Sequence, residues 1–148
     1  MTINEKGKNM LEKWIKWKPI SCLNNKYYIE SIKHDKNGFI IILEHCNEYN
    51  QKKQIKIIFD GPIESYRYCD EHCRIELLEK LNGKYGAQFY LDWRYFIVEN
   101  SEYLKWLEQE SCTIVSCLEV KHYVFIDNDC ILDVVVSFNP KIEVIKTN

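Results

Sequence analysis

Glycine and proline are scarce in this chain, five and three in 148 residues. With so few glycines there is no Gly-rich loop to cradle a phosphate, and neither a nucleophile elbow nor a helical H-E-x-x-H is present. Long apolar runs are missing as well. None approaches the ~18–20 residues of a membrane span, and the opening MTINEKGKNM has no apolar signal core, which predicts a cytoplasmic protein with no membrane partner. C-x2-C pairs are absent. The seven cysteines, Cys22, Cys46, Cys69, Cys73, Cys112, Cys117 and Cys130, are odd in number and scattered, so they predict reduced, buried thiols rather than a disulfide framework. A strong excess of charge is lacking too. The formal net charge is −2 and the pI about 6.1, which argues against direct nucleic-acid binding, where a domain pI above about 9 is usual.

What the chain has instead is apolar and aromatic mass. Hydrophobic residues make up 46% and aromatics 14%, against 28% charged, which suits one domain over residues 1–148 that buries roughly two-thirds of its unfolded surface. Residues 1–8 are polar and expected to fray. The charge is uneven along the chain: residues 1–60 carry 11 Lys and no Arg against 7 acids, whereas residues 61–148 carry 9 basic against 15 acidic groups. The acidic second half suits a basic protein partner.

The pattern predicts an α+β fold, with six to seven strands in a mostly antiparallel sheet, two to three helices packed on it, and no regular βαβ alternation. Gln88 to Val98 reads as the organising strand, because Phe89, Leu91, Trp93, Tyr95 and Ile97 alternate onto one face. Asn100 or Ser101 then caps a helix whose inner side carries Tyr103, Leu104 and Leu107. Asn9 to Trp17 predicts another helix, ended by Pro19. Asp70 to Asn82 predicts a third, capped by Asp70, buried along Cys73, Leu77, Leu78 and Leu81, and stopped by Gly83. Lys26 to His34, Gly38 to His45 and Lys53 to Phe59 predict a meander whose first turn is Asp35-Lys36-Asn37-Gly38. Lys121 to Phe138 predicts a second hairpin around Asp127-Asn128-Asp129, and Ile142 to Ile145 a short edge strand. The register of that hairpin is open: a three-residue turn sets Tyr123 opposite Asp133, and a two-residue turn sets Val124 there.

Asp133, within ILDVVV, is the odd residue, since a carboxylate is costly to bury without partners. His122, Tyr123 and Asp133 are therefore expected to form a structural polar network that fixes the hairpin, in preference to a catalytic site. A cysteine nucleophile would draw on Cys69, His72 and Cys73 with His122 and Asp133, but Cys73 falls on the predicted buried stripe, where a thiolate is disfavoured. Neither Cys69-x3-Cys73 with His72 nor Cys112-x4-Cys117 has the spacing of a zinc site, so no metal and no cofactor is expected. Asp127 with Asp129, and Asp70 with Glu71, read as turn and capping residues rather than catalytic carboxylate pairs.

The run Val98-Glu99-Asn100-Ser101-Glu102-Tyr103-Leu104-Lys105-Trp106-Leu107, followed by His122-Tyr123, Ile131-Leu132-Asp133-Val134 and Pro140, carries a further signal. Together with Tyr66-Arg67 and Asp70-Glu71 upstream, it resembles the small bacterial immunity-type proteins encoded beside polymorphic or contact-dependent toxins. The resemblance implies a cytoplasmic binding protein without catalysis, which protects its cell by capping a cognate toxin domain. Many such toxins are nucleases with basic clefts, which an acidic surface can occupy in place of phosphates. Candidate partner contacts are then Glu99, Glu102, Glu108 and Glu110 around the helix, Asp127 and Asp129 at the hairpin tip, and Tyr66 as an aromatic anchor, with Tyr103 as a second. The alternative from a different class is a small cysteine-dependent hydrolase or transferase.

Overall fold

A computed structural model describes residues 11–146. The expectations for residues 1–8, and for Asn9 and Met10 at the start of the first predicted helix, lie outside them. Period-2 alternation dominates the described chain and sorts its side chains into two cores. Strand β3 (Gly38–Cys46) sends Phe39, Ile41 and Leu43 to one side, and β4 (Lys52–Phe59) sends Ile55, Ile57 and Phe59 to the same side. With β2 (Tyr28–Asp35) and β9 (Lys141–Lys146) they form a four-stranded antiparallel sheet in the order β2-β3-β4-β9. The second sheet, also antiparallel, has the order β1-β6-β7-β8-β5. Its strands are β1 (Lys13–Lys16), β5 (Ser65–Asp70), β6 (Tyr95–Glu99), β7 (Lys121–Ile126) and β8 (Cys130–Val136).

The five-stranded sheet is the middle layer. One face, with Tyr95, Tyr123, Phe125, Leu132, Val134 and Val136, packs on the four-stranded sheet. The other face, with Trp14, Phe96, Val98, Val124, Ile126 and Ile131, packs on helix α1 (Ile75–Tyr85) through Leu78 and Leu81. Coverage on both sides explains why every residue of β8 is buried. Helices α2 (Phe89–Asp92) and α3 (Glu102–Glu110), with single 3-10 turns at Glu71–Arg74 and Ile114–Cys117, complete the α+β fold. No helix among the described residues is long and apolar enough to cross a membrane.

Both predicted hairpins form. Gly38, at φ 115°, closes the first against Asp35, and an alanine Cβ at Gly38 would lie 2.6 Å from the Phe59 carbonyl oxygen. In the second, Asp127 N–H donates to Cys130 O at 2.8 Å, so Asn128 and Asp129 form a two-residue turn and Val124 stands opposite Asp133. Ile142 to Ile145 pairs with β4 as the predicted edge strand, one residue longer at each end.

Several local expectations are corrected. The described part of the first predicted helix is β1, whose alternation of Lys13, Trp14, Ile15 and Lys16 pairs it with β6. The organising strand is shorter than expected: Phe89–Asp92 is a helical turn, with Asp92 N–H on Gln88 O at 2.8 Å, and the strand itself covers Tyr95–Glu99. By turning back, Phe89 stacks between Tyr85 at 4.1 Å and Phe96 at 4.8 Å, aromatic contacts that a straight strand forfeits. Leu91 is left exposed. Among the described residues the strands number nine in two sheets, because Ser65–Asp70 pairs with β8 and Lys13–Lys16 with β6. α1 starts at Ile75 and runs past Gly83 to Tyr85, and Asp70 makes no side-chain capping bond. Cys73 falls in the 3-10 turn and is exposed. Of the seven cysteines only Cys130 is buried, Cys69 being intermediate and the rest exposed.

Candidate functional site

Alternation along β8 puts Ile131, Asp133 and Val135 on the helix side of the middle sheet, so Asp133 is directed by register into an apolar layer. Register also supplies its partners. Arg67 is its direct neighbour across β5, and Arg67 Nε donates to Asp133 Oδ2 at 2.9 Å. Arg74, from the 3-10 turn ahead of α1, donates through Nη1 to the same oxygen at 2.8 Å. His122, two residues before Val124 on the same face of β7, places Nε2 2.6 Å from Oδ1. Desolvation of the fully buried Asp133 opposes its charge, but the hydrogen bond from His122 and the hydrogen bond and charge of Arg67 prevail and hold the carboxyl well below the usual carboxylate range. Burial likewise works against the charge of Arg67, and Asp133 overcomes it, raising the guanidinium further.

The chain of contacts continues outward. His122 Nδ1 lies 2.7 Å from Ser101 Oγ, and that oxygen accepts Leu104 N–H at 3.1 Å as the N-cap of α3. A Ser hydroxyl donating to Nδ1 and a histidine N–H on Nε2 donating to Asp133 satisfy the whole relay. Tyr103, in the first turn of α3, packs edge-on to His122 at 5.4 Å, bonds Ser65 through its hydroxyl, and receives the Arg67 guanidinium over its ring at 4.1 Å. Its phenol is raised by burial, against the opposing effects of Ser65 and Arg67. The buried relay thus bolts the N-terminus of α3 to the centre of the sheet.

Between α1 and α3, above this relay, lies a cleft of about 330 Å³. Trp14, Tyr103, His122 and the largely buried Arg74 line it deeply, while Glu76, Glu102, Trp106 and Cys73 stand at its exposed rim. Trp106 stacks parallel on Tyr103, with centroids 6.0 Å apart, and remains half exposed.

The predicted network holds for two of its three members. Tyr123 is on the opposite face, packed on Trp17 and Phe59, because the two-residue turn shifts it out of register with Asp133. Arg67, Arg74 and Ser101 take the places around Asp133 and His122. Arg67 carried a readable signal, since alternation of SYRYCD sets it on one face of an extended segment.

The candidate partner residues separate into two places. Glu99, Glu102, Glu108 and Glu110 are all exposed around α3. Asp127 and Asp129 are at the far end of β7 from His122. Asp127 is engaged structurally, accepting Ile29 N–H at 2.9 Å and Asn128 N–H at 2.7 Å, and Asp129 is exposed. Tyr66 is partly exposed but leans on Phe39 at 4.8 Å and His34 at 5.4 Å, on the opposite side of β5 from Arg67, so it is not part of the α3 surface. No group of three His, Cys, Asp or Glu among the described residues is placed to hold a metal ion.

No family model, curated protein or solved structure matches the chain. The functional reading therefore rests on the chemistry of the α3 face and the cleft beside it.

Proposed function

We propose that the protein is a non-catalytic immunity protein, which binds and neutralises a cognate bacterial toxin domain in the cytoplasm through the outer face of α3. The observation that carries this reading is Trp106. A half-exposed tryptophan, stacked on buried Tyr103 on a helix that also exposes Glu102, Glu108 and Glu110, has the composition of an anchor on an acidic surface. Its helix is pinned to the sheet through Ser101, His122 and Asp133, so little order has to be gained on binding. The acids favour a basic partner surface, such as the cleft of a nuclease.

The same relay supports a non-catalytic role. Ser101 is 3% exposed and its oxygen is committed to capping a helix, unlike a nucleophile that must meet a substrate. The competing cysteine-hydrolase reading draws on Cys73 and His122, which line one cleft, yet both ring nitrogens of His122 are already bonded, to Ser101 and Asp133.

Titration calorimetry against the toxin domain encoded beside this protein tests the proposal. The expected result is a one-to-one complex with Kd of about 1 nM or tighter, and loss of toxicity on co-expression. Absence of a complex overturns it.

A further inference from the structure

We infer that the cleft between α1 and α3 is a binding site for a small organic oxyanion, a carboxylate or phosphate ester carrying an apolar body. This inference goes beyond the toxin-binding reading and shares only Trp106 and Glu102, at the cleft rim, with it. Its basis is the pair of guanidinium groups at the cleft floor. Arg67 and Arg74 both donate to Asp133 Oδ2, Arg67 reaching Oδ1 as well at 3.5 Å, and Asp133 is 0% exposed. Arg67 is 39% exposed and meets water, whereas the largely buried Arg74 shares that one carboxylate with it, which favours a further anion at Arg74.

Arg74 has donors to spare. Its side chain is 15% exposed, and only Nη1 is bonded among the described residues, which leaves Nε and Nη2 for a ligand. Two nitrogens on one edge of a guanidinium match the two oxygens of a carboxylate or phosphate. Arg67, held flat against Tyr103, adds its charge from the β5 side.

The acids near the cleft are each engaged elsewhere. Glu76 is paired with Lys80 at 3.5 Å and Glu102 with Lys105 at 3.1 Å. Glu12 accepts the Glu102 backbone N–H at 2.9 Å, where it faces the positive end of α3. Among the described residues none of these three acids bonds Arg74. A volume of about 330 Å³ is far more than an inorganic anion fills, and Trp14, Leu77, Tyr103 and Trp106 line the remainder with apolar surface. A charged head on Arg74 with an aromatic or aliphatic body against these side chains uses both halves of the cleft.

Phenyl phosphate is the probe, with inorganic phosphate standing in for its charged head and benzamide, an uncharged aromatic, for its apolar body, measured by calorimetry on the full chain. Phenyl phosphate is expected to bind saturably and more tightly than either half. Arg74→Lys, which keeps a cation beside Asp133 but removes the two-nitrogen edge, should weaken binding about tenfold or more while leaving the melting temperature nearly unchanged. Glu76→Gln should tighten it, because the rim loses an anion and Lys80 is released; an occupant of positive charge would respond in the opposite direction. The inference is overturned if phenyl phosphate does not saturate the protein, or if benzamide or inorganic phosphate binds as well as it does. Weaker binding by Glu76→Gln, a variant at an exposed position, also overturns it, and so does unchanged binding by a folded Arg74→Lys.

Discussion

Replacing Asp133 by Asn keeps the shape of the side chain and removes its charge. In the folded protein the wild-type carboxylate meets Arg67 at 2.9 Å, Arg74 at 2.8 Å and His122 at 2.6 Å, with no exposure to water. The amide offers one acceptor oxygen to these three donors and turns an NH2 group toward the others. Removing one partner of a buried ion pair costs about 3–5 kcal/mol, and a chain of this size loses roughly 2–4 °C per kcal/mol. Asp133→Asn is therefore expected to melt roughly 6–20 °C lower, followed by far-ultraviolet circular dichroism and by urea titration. Acid supplies a second, independent readout. Because the folded carboxyl titrates below its unfolded value, its contribution is fully present above about pH 4 and fades as pH falls through the folded value. The gap between wild type and Asp133→Asn should thus be full at neutral pH and narrow progressively in acid. A loss below about 1 kcal/mol, the scale of an ordinary neutral hydrogen bond, would refute the claim that the charge organises the site, as would a gap that ignores pH.

Ser101→Ala removes both the cap of α3 and the partner of His122 Nδ1, and should cost about 1–2 kcal/mol in urea denaturation, with hydrogen exchange increasing first in α3. Trp106→Ala is expected to weaken toxin binding by about 2 kcal/mol or more in calorimetry while leaving thermal stability nearly unchanged, given its half-exposed position. Gly38→Ala should destabilise by about 1–3 kcal/mol, since φ is 115° and the new Cβ would lie 2.6 Å from the Phe59 carbonyl oxygen; an unchanged melting curve would contradict the turn geometry. Alkylation followed by mass spectrometry should spare Cys130 until the protein unfolds, because burial is the main cause pushing its thiol up to about 11. The exposed cysteines should react in the native state.

What was readable in the sequence was local. Asp35-Lys36-Asn37-Gly38 and Asp127-Asn128-Asp129 marked both hairpins, and Ser101 ahead of Tyr103, Leu104 and Leu107 marked α3, because turn and capping chemistry is decided by neighbours in the chain. What failed needed information from distant segments. Phe89 turned from a strand into a helical turn to reach Tyr85 and Phe96, and Trp14 left its helical pattern to pair with Val98. The oddity of Asp133 was visible, as was the partnership with His122, but Arg67 and Arg74 lie 66 and 59 residues away, and only the pairing of β5 with β8 brings them close. The turn length is open in the sequence, and it decides Tyr123: with the two-residue turn that forms, a one-residue slip sends its side chain through the sheet, away from Asp133.

The strand order also dictates when the chain can fold during synthesis. β5 waits for β8, β6 for β7, and β4 for β9, so both sheets are completed by residues that leave the ribosome late. Until β7 and β8 have emerged, β5 and one edge of β6 are unpaired and open to any neighbouring strand, and Arg67 and Arg74 lack the carboxylate that holds them. Closure of the middle sheet and arrival of the carboxylate that Arg67 and Arg74 share then come with the same short segment, Cys130–Val136, which makes completion of that sheet a late event of high contact order.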